Sequence, residues 1–431
     1  MCERRRMDID LLFSAALGLL PPWKVVKVSF DAKAREGRGI LRMEIDFDPG
    51  ARFPCSDCGE ASPAHDTSPQ EWRHLDFFQH ETYLTARVPR VECKKHGVRK
   101  ISMLPWARAD SGFTLLFEAY IMLMAPEMPM KALARAVREH DTRLWRLVTA
   151  HVNKARENVD MSEVTDLVVD ETSQARGHEY VTIFVEPKKK RKSRVLFVTQ
   201  GRSHGTFSEF CSDLKAHGGN AKKLTDVCMD MSPAFMKGAA ETMPDAEVTF
   251  DRFHVMKLAG EAVDEVRRTE QRQQPVLKGT RYTWLKNPEN LTGDQYVNFV
   301  RLSELNLKTT TAYHMRLNLA EVWNTRDVKT ARRLLGEWCG WVHRACRTKK
   351  GEDPSGLEPM RTVAKTVKKH RRGILNYFRK GMTSAVIEGF NSLVQAARAR
   401  ARGYRSVETF KTMIYLIGGR LKYDLPVLTT S

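Results

Sequence analysis

The stretches VTDLVVD, residues 164–170, and LTDVCMD, residues 224–230, decide the fold class of this chain. Each is a short apolar run of the kind that forms a buried strand, and each ends on an aspartate. Three further strand-like runs accompany them: HEYVTIFVE (178–186), SRVLFVT (193–199) and AEVTF (246–250). In chain order, a helical pattern from Thr206 to Ala216 lies between SRVLFVT and LTDVCMD. A second helical pattern begins at Ser232, between LTDVCMD and AEVTF. The segment 161–255 is therefore predicted to be a sheet with helices packed on it.

The order strand, strand, strand, helix, strand, helix, strand is that of a ribonuclease-H-like core. From about Phe253 to Lys380 the pattern is almost entirely helical and rich in Arg, Lys and Trp, which predicts a helical insertion over 256–380. The segment 384–405, SAVIEGFNSLVQAARARARGYR, predicts one more helix, closed by Gly403. We expect residues 381–431 to complete the core that 161–255 begins.

Two different patterns precede this core. Alternating and β-branched runs, punctuated by Gly and Pro, extend from Val25 to about Val98 and predict a small β-rich module over 1–105. Residues 106–160 are predicted to be all-helical. Within them MKALARAVREHDTRLWRLVTA, 130–150, has helix-turn-helix spacing. Its second helix is expected to point basic side chains into a DNA major groove; these are Arg143, Arg146, His151 and Lys154.

The charge balance favours a polyanionic partner. The 431 residues contain 71 Lys and Arg against 52 Asp and Glu, a formal net charge of +19, which favours nucleic acid. A membrane surface would require a basic amphipathic helix or an anchor, and the sequence has neither. The longest apolar stretches are shorter than the ~20 residues of a membrane span. We expect a cytoplasmic protein with no membrane partner.

Three cysteines and one histidine have metal-ligand spacing. Cys55-x-x-Cys58 and Cys93-x-x-His96 can each form a tight turn and together close a tetrahedral site. Thiolate and imidazole suit Zn²⁺, and four ligands with no open position predict a structural ion. Ordinary cysteines beside a surface histidine are the competing interpretation. Two substitute ligands stay open, His65 and His74.

The two aspartates that end apolar runs are candidate ligands for catalytic cations. Asp170 ends LVVD and Asp230 ends VCMD, so each is expected at a strand end, where an unpaired buried carboxylate is costly without a counter-ion. Phosphodiester cleavage needs an activated nucleophile and a neutralised leaving oxygen, which two Mg²⁺ or Mn²⁺ ions held by carboxylates supply. A turn residue at Asp170 and a helix cap at Asp230 are the alternatives.

The helix at 384–405 contains a third candidate acid, Glu388. Polar and basic residues recur from it at intervals of three or four: Asn391, Ser392, Gln395, Arg398 and Arg402. One face is acidic at its start and basic at its end, which suits a metal ion beside a DNA backbone. An ordinary amphipathic helix is the alternative. Asp251, His254 and Asn391 are expected to support the site or contact DNA.

Together these motifs resemble one family of bacterial insertion-sequence transposases, whose members combine a zinc-binding segment, a helix-turn-helix and a DDE catalytic domain. The resemblance extends from about Phe53 to Arg405. It rests on the zinc pairs around WRHLD (72–76) and RVPRVEC (87–93), and on VVDETS (168–173), VCMDMSPAF (227–235), VTFDRFHVMK (248–257) and IEGFNSLVQAARARARGYRS (387–406).

This resemblance implies that Asp170, Asp230 and Glu388 are the first, second and third catalytic acids, spaced by 60 and 158 residues. It also implies binding to terminal inverted repeats, Mg²⁺-dependent cleavage, and strand transfer to target DNA by an oligomer, at least a dimer, at the bacterial nucleoid. The predicted DNA contacts are Arg143, Arg146, Lys154, Arg398, Arg402 and Arg405. A catalytically silent DNA-binding regulator is the main alternative, and a nuclease or resolvase of the same fold is another.

Overall fold

The computed structural model describes residues 9–35, 38–101, 104–175, 179–188, 192–325, 327–347 and 356–427. Internal packing divides the chain into two compact units. The first comprises Met1–His151 and Lys422–Ser431, and the second comprises Val152–Leu421. Over the described ranges, no helix is long and apolar enough to cross a membrane.

The first unit contains a six-stranded sheet of β1 (Trp23–Arg35), β2 (Arg38–Phe47), β3 (Arg52–Pro54), β4 (Ala61–Phe77), β5 (His80–Cys93) and β6 (Gly97–Lys100). The strand order is β1-β2-β5-β4-β3, with β6 also paired to β5, and only β2 and β5 run parallel. The buried rings of Trp23 and Trp72 both meet Trp106 edge to face, at centroid distances of 5.0 and 5.6 Å. The predicted β-rich N-terminal region is confirmed.

The described N-terminal residues also form the helices α1 (Ile9–Ala16), α2 (Leu115–Met124), α3 (Met130–Val137) and α4 (Asp141–Glu157). Arg138 ends α3 in the left-handed conformation, at φ 58°, which turns the chain before α4 begins. The fully buried carboxylate of Glu118 in α2 accepts hydrogen bonds from Arg108 and Ser111, and lies 2.6 Å from His151 Nε2. The expectation that His151 projects toward DNA is therefore wrong, because the ring is buried against the Glu118 carboxylate inside the unit.

The second unit is built on a five-stranded sheet of β7 (Asp166–Ala175), β8 (Glu179–Glu186), β9 (Arg194–Gln200), β10 (Asp226–Met229) and β11 (Glu247–Phe250). The order is β11-β10-β7-β8-β9. Strand β8 is antiparallel to both its neighbours, whereas β10 is parallel to β7 and β11. Every residue of β10 is buried, as expected of a central parallel strand covered on both faces. Helices α5 (Gly205–Ala216) and α6 (Pro233–Thr242) follow β9 and β10.

In the rest of the described chain the helices are α7 (Arg252–Glu270), α8 (Arg281–Leu285), α9 (Gly293–Ser303), α10 (Lys308–Glu321), α11 (Val328–Ala345), α12 (Glu358–Lys369), α13 (Arg371–Lys380), α14 (Ala385–Ala401) and α15 (Val407–Gly418). The buried rings of Trp284, Tyr313 and Trp338 belong to the core that these helices share with the second sheet. Trp338 Nε1 donates to the Met315 carbonyl at 2.7 Å, so the buried indole N–H is satisfied.

Helices cover both edges of the second sheet. Asn376 Nδ2 in α13 donates to the Val248 carbonyl of β11 at 2.9 Å, and the Tyr415 hydroxyl in α15 accepts from the Val198 N–H of β9, also at 2.9 Å. These side chains satisfy backbone groups that an edge strand otherwise leaves unpaired.

Gly373 makes the close contact between α13 and β11 possible. A Cβ at this position would lie 2.5 Å from the Phe250 ring and 3.2 Å from the Val248 carbonyl oxygen. We expect Gly373→Ala to lower the melting temperature, since overpacking costs about 1–3 kcal/mol. The matched control, Gly336→Ala in α11, adds a Cβ whose nearest neighbour is the Arg371 side chain at 4.0 Å, and should be neutral or stabilise by about 0.5–1 kcal/mol. Superimposable melting curves by circular dichroism would contradict this account.

Candidate functional site

The register between β7 and β10 sets Asp170 beside Asp230. The parallel pairing of these strands ends at Val168 and Cys228, so both aspartates come two residues after that pair. Side chains two apart on a strand share a face, so the carboxylates lie at one level of the sheet. The prediction that Asp170 ends its strand is wrong, because β7 continues to Ala175 and stays paired with β8. The strand that ends near Asp170 is β10, whose last residue is Met229.

One face of α14 lies along β7. Asn391 Nδ2 donates to Asp170 Oδ2 at 2.8 Å, and Gln395 Nε2 donates to the Ser173 carbonyl at 2.9 Å. Arg398 Nη1 donates to the same carbonyl at 3.1 Å. These residues are spaced four and three apart, which is the spacing of one helix face. The helix therefore runs beside the strand with its N-terminal end toward Asp170.

Glu388 lies in the first turn of α14, one turn before Asn391. Ser384 Oγ donates to Glu388 Oε1 at 2.5 Å, and Ser384 N donates to Asp251 Oδ1 at 3.4 Å. Asp251 is 2% exposed and also accepts from the Phe253 N–H at 2.9 Å, which caps α7. Asp251 thus connects the starts of α7 and α14. This connection fixes the position of the first turn of α14, which contains Glu388.

The carboxylate of Asp170 is partly desolvated beside other charges. Burial raises its pKa to about 6, and the negative charges of Asp230 and Glu171 act in the same direction. The Glu171 N–H and His254 oppose this shift. His254 Nδ1 lies 3.6 Å from Asp230 Oδ1, so a protonated imidazole would be a local counter-charge.

Cys228 is the last residue of β10 that is paired with β7, and the acids of the site also act on its thiol. Burial raises the pKa of its thiol, and the charges of Asp251, Asp170 and Glu388 raise it further. Carboxylates from β7, α14 and the start of α7 therefore surround one end of β10. Such a cluster of negative charge requires a cation or protons for stability.

A divalent cation fits the donor atoms of this site. Asn391 Oδ1 is buried without a hydrogen-bond partner among the described residues, although its amide nitrogen is bound to Asp170. An orphaned amide oxygen beside several carboxylates is the all-oxygen donor set that Mg²⁺ and similar hard cations take. Among the described residues, the only group of three or more potential metal ligands with closely spaced ligand atoms consists of cysteines and a histidine. The carboxylates of Asp170, Asp230 and Glu388 are therefore not preformed as a tight metal site.

That group consists of Cys55, Cys58, Cys93 and His96, whose ligand atoms all lie within 4.8 Å of one another. The Cys58 and Cys93 sulfurs are 3.7 Å apart, and His96 Nδ1 is 3.8 Å from Cys55 Sγ and 3.6 Å from Cys93 Sγ. Tetrahedral zinc with bonds of about 2.0–2.3 Å has ligand separations of ~3.5–3.8 Å. The four residues therefore fit a closed zinc site.

The zinc ligands come from the turns of two hairpins. Cys55 and Cys58 lie between β3 and β4, Cys93 is the last residue of β5, and His96 lies between β5 and β6. Gly59 and Gly97 follow at φ 71° and 69°, a left-handed conformation that glycine adopts without strain.

Neither substitute zinc ligand reaches the cluster. His74 Nδ1 lies 2.8 Å from Thr114 Oγ1, and burial together with the Arg73 charge lowers the pKa of His74 to about 4. His65 lies 3.7 Å from the carboxylate of Glu92.

The predicted DNA contacts have different environments. Arg146 and Lys154 on α4, and Arg402 and Arg405 after α14, are exposed. Arg143 is held by Glu139 at 2.5 Å and lies over the Phe113 ring at 4.4 Å. Arg398 is bonded to β7, as described above.

Sequence reasoning missed the roles of Ser384 and Arg316. Ser384 precedes α14, and its local signal, a serine four residues before a glutamate, resembles any helix start. Arg316 in α10 lines a cavity of about 470 Å³ together with Asp251, Ser384 and Glu388. No local pattern could have placed Arg316 there, since it is 72 residues from Glu388 in the sequence.

Comparison with known proteins covers all three predicted modules. Residues 167–414 match the ISL3 DDE family described as "Transposase", residues 103–152 match the helix-turn-helix domain of transposase family ISL3, and residues 51–96 match the zinc-finger of transposase IS204/IS1001/IS1096/IS1165.

Two curated relatives are similar over most of their length. The transposase for insertion sequence element IS1001 of Bordetella parapertussis is 26% identical over 395 residues, which is 87% of this chain and 94% of the relative. The transposase for insertion sequence element IS1557 of Mycobacterium tuberculosis strain H37Rv is 27% identical over 403 residues, covering 85% and 86%.

Removal of a zinc ligand tests the metal centre. Cys93→Ser should reduce bound zinc from about one per chain to a small fraction and lower the melting temperature, because metal binding and folding of such a module are coupled. The matched control is Cys339→Ser in α11, which should retain the metal. Zinc measured by atomic absorption on the purified chain decides this. Full zinc content in Cys93→Ser would rule out the four-ligand site.

Proposed function

Because the chain belongs to the ISL3 family of insertion-sequence transposases, we propose that Asp170, Asp230 and Glu388 are its three catalytic acids. The protein is a DDE-type transposase, a polynucleotidyl transferase with a DNA-binding helix-turn-helix and a structural zinc site. The observation that carries the assignment is the contact of Asn391 with Asp170, since it joins the helix of Glu388 to the strand of Asp170. The register of β7 and β10 supports Asp230 as the partner of Asp170.

We infer that residues 161–255 and 381–431 form one ribonuclease-H-like catalytic core interrupted by the helical insertion 256–380. The strand order β11-β10-β7-β8-β9, with β8 alone antiparallel to its neighbours, supports this fold. The zinc-finger and helix-turn-helix matches support the assignment of 1–105 to zinc binding and of 106–160 to the helix-turn-helix.

The three acids are proposed to hold two Mg²⁺ ions, or Mn²⁺ in their place. Bound ions of this kind activate the attacking oxygen and neutralise the leaving oxygen of a phosphodiester. The protein's own contribution is positioning. Asn391 orients the Asp170 carboxylate, Ser384 orients Glu388, and His254 lies beside the Asp230 carboxylate.

The DNA partners are proposed to be the terminal inverted repeats of the element and the target duplex. Exposed basic residues support this: Arg146, Lys154, Arg402 and Arg405. Arg143 and Arg398 would act chiefly by supporting the local structure, because both are engaged by other protein groups. Two element ends must be joined to one target, so the working form is proposed to be at least a dimer.

Neutralising each acid tests the active site. Asp170→Asn, Asp230→Asn and Glu388→Gln should each reduce metal-dependent cleavage by ~10³-fold or more, since losing a cation's stabilisation of charge costs several kcal/mol. Binding to terminal-repeat DNA should persist. Asp245→Asn, at an exposed loop acid, is the matched control and should cleave normally. Wild-type protein that binds the repeats without any Mg²⁺- or Mn²⁺-dependent product would instead favour a catalytically silent regulator.

Arg146 is expected to neutralise a DNA phosphate. Arg146→Gln should weaken binding to specific and unrelated duplexes alike, and should reduce the slope of log K against log salt by about 1. Fluorescence-anisotropy titrations between about 50 and 200 mM salt measure that slope. Arg333→Gln, at an exposed arginine paired with Glu337 in α11, serves as control. An unchanged slope for Arg146→Gln would exclude the phosphate contact.

A further inference from the structure

A cavity of about 470 Å³ opens beside Glu388, within the second unit. Its size is that of a ligand site, for which volumes of roughly 300–1,000 Å³ are typical. The residues that line it come from the proposed core and from the helical insertion. Besides Asp251 and Glu388, it is lined by basic, amide and aromatic side chains, among them Arg252, Phe253, Asn287, Arg316, Trp323 and Tyr377.

Arg316 has unused hydrogen-bonding capacity in this cavity. Its Nη2 donates to Asn287 Oδ1 at 2.9 Å, but Nη1 is buried without a partner. Burial lowers the pKa of Arg316, and the charge of Glu289 opposes this shift only in part. A buried guanidinium N–H without an acceptor is costly, and a phosphate oxygen is a strong acceptor for it.

The aromatic lining offers surfaces for a base. Phe253 is 55% exposed although it lies next to buried Asp251. The Tyr377 ring is held edge to face against Trp323 at 5.3 Å, and Trp323 in turn stacks on Phe378 at 5.4 Å. Stacking of a nucleotide base on an exposed aromatic ring is worth about 1–3 kcal/mol and tolerates any base.

We propose that this cavity binds one unpaired nucleotide of the DNA strand next to the cleaved bond, with its phosphate at Arg316 and its base against Phe253 and Tyr377. The assignment rests on the proposed function, because it places the DNA backbone beside Glu388. The carboxylate of Glu388 does not oppose the phosphate, since it belongs to the proposed cation site. Unpairing a base costs a few kcal/mol, which phosphate and stacking contacts offset.

Binding without catalysis tests the proposal. The full zinc-loaded chain, with Ca²⁺ in place of Mg²⁺ as a hard counter-cation for the carboxylates, is titrated with terminal-repeat duplexes that are fully paired or contain one unpaired nucleotide, moved stepwise across the cleavage position. Wild type should prefer the unpaired probe at one position by about tenfold, since that probe no longer requires unpairing. Phe253→Ala and Arg316→Gln should lose this preference while binding the paired duplex within about twofold of wild type.

Two matched controls separate this site from general effects. Tyr296→Ala removes an aromatic ring that is 54% exposed in the insertion but outside the cavity, and Arg333→Gln removes a surface arginine. Both should keep the tenfold preference. With an abasic residue at the preferred position, Phe253→Ala should bind like wild type, whereas Arg316→Gln should still bind more weakly and Arg316→Lys should recover part of the loss.

Three outcomes would overturn the proposal: equal affinity of wild type for paired and unpaired probes at every position, retention of the preference by Phe253→Ala, or tight binding of a free deoxynucleotide monophosphate in the absence of DNA. Each is compatible with normal metal-dependent cleavage. A negative result in this assay would therefore refute the nucleotide site but not the proposed function. The proposed function would be refuted by the absence of metal-dependent cleavage.

Discussion

The parallel register of β7 and β10 is the constraint on which the candidate active site depends. It brings two aspartates that are 60 residues apart to one level of a sheet, because the strands pair up to Val168 and Cys228 and no further. The hydrogen bond from Asn391 to Asp170 then brings in α14, and Glu388 with it, across a still longer separation. A slip of one residue in this register would turn Asp230 to the opposite face and separate the acids.

The cost of this arrangement is electrostatic. Carboxylates gathered around a buried strand end repel one another and are partly desolvated, and the raised pKa of Asp170 is the consequence. The protein compensates only in part, with His254 beside Asp230 and amide or hydroxyl donors on Asp170 and Glu388. Uncompensated negative charge of this kind favours a divalent cation, which can supply the charge stabilisation that phosphodiester chemistry requires.

Local patterns predicted much of this molecule, and long-range contacts account for the rest. The zinc ligands were identifiable because pairs spaced C-x-x-C and C-x-x-H need only a tight turn, and the strands because buried runs such as LVVD and VCMD are apolar throughout. The position of Asp170 within β7 was mispredicted because an apolar run stops where burial changes, and β7 continues past that point. His151 was mispredicted because its partner, Glu118, lies on another helix. Glu388 depended on the family resemblance, since a glutamate in the first turn of a helix is common.

The net charge of +19 is a poor guide to which residues meet DNA, because much of the positive charge is used inside the protein. Arg156 donates to both carboxylate oxygens of Asp213. Arg398 donates to a backbone carbonyl of β7, and Arg108 donates to the buried carboxylate of Glu118. A guanidinium committed to several protein acceptors would have to give them up to bind a phosphate, and that exchange gains little. Arg316 is the opposite case, an arginine that lines the cavity beside Glu388 and whose Nη1 is buried without a protein acceptor among the described residues. An arginine with a donor that lacks a protein acceptor can therefore bind a phosphate without giving up an existing hydrogen bond.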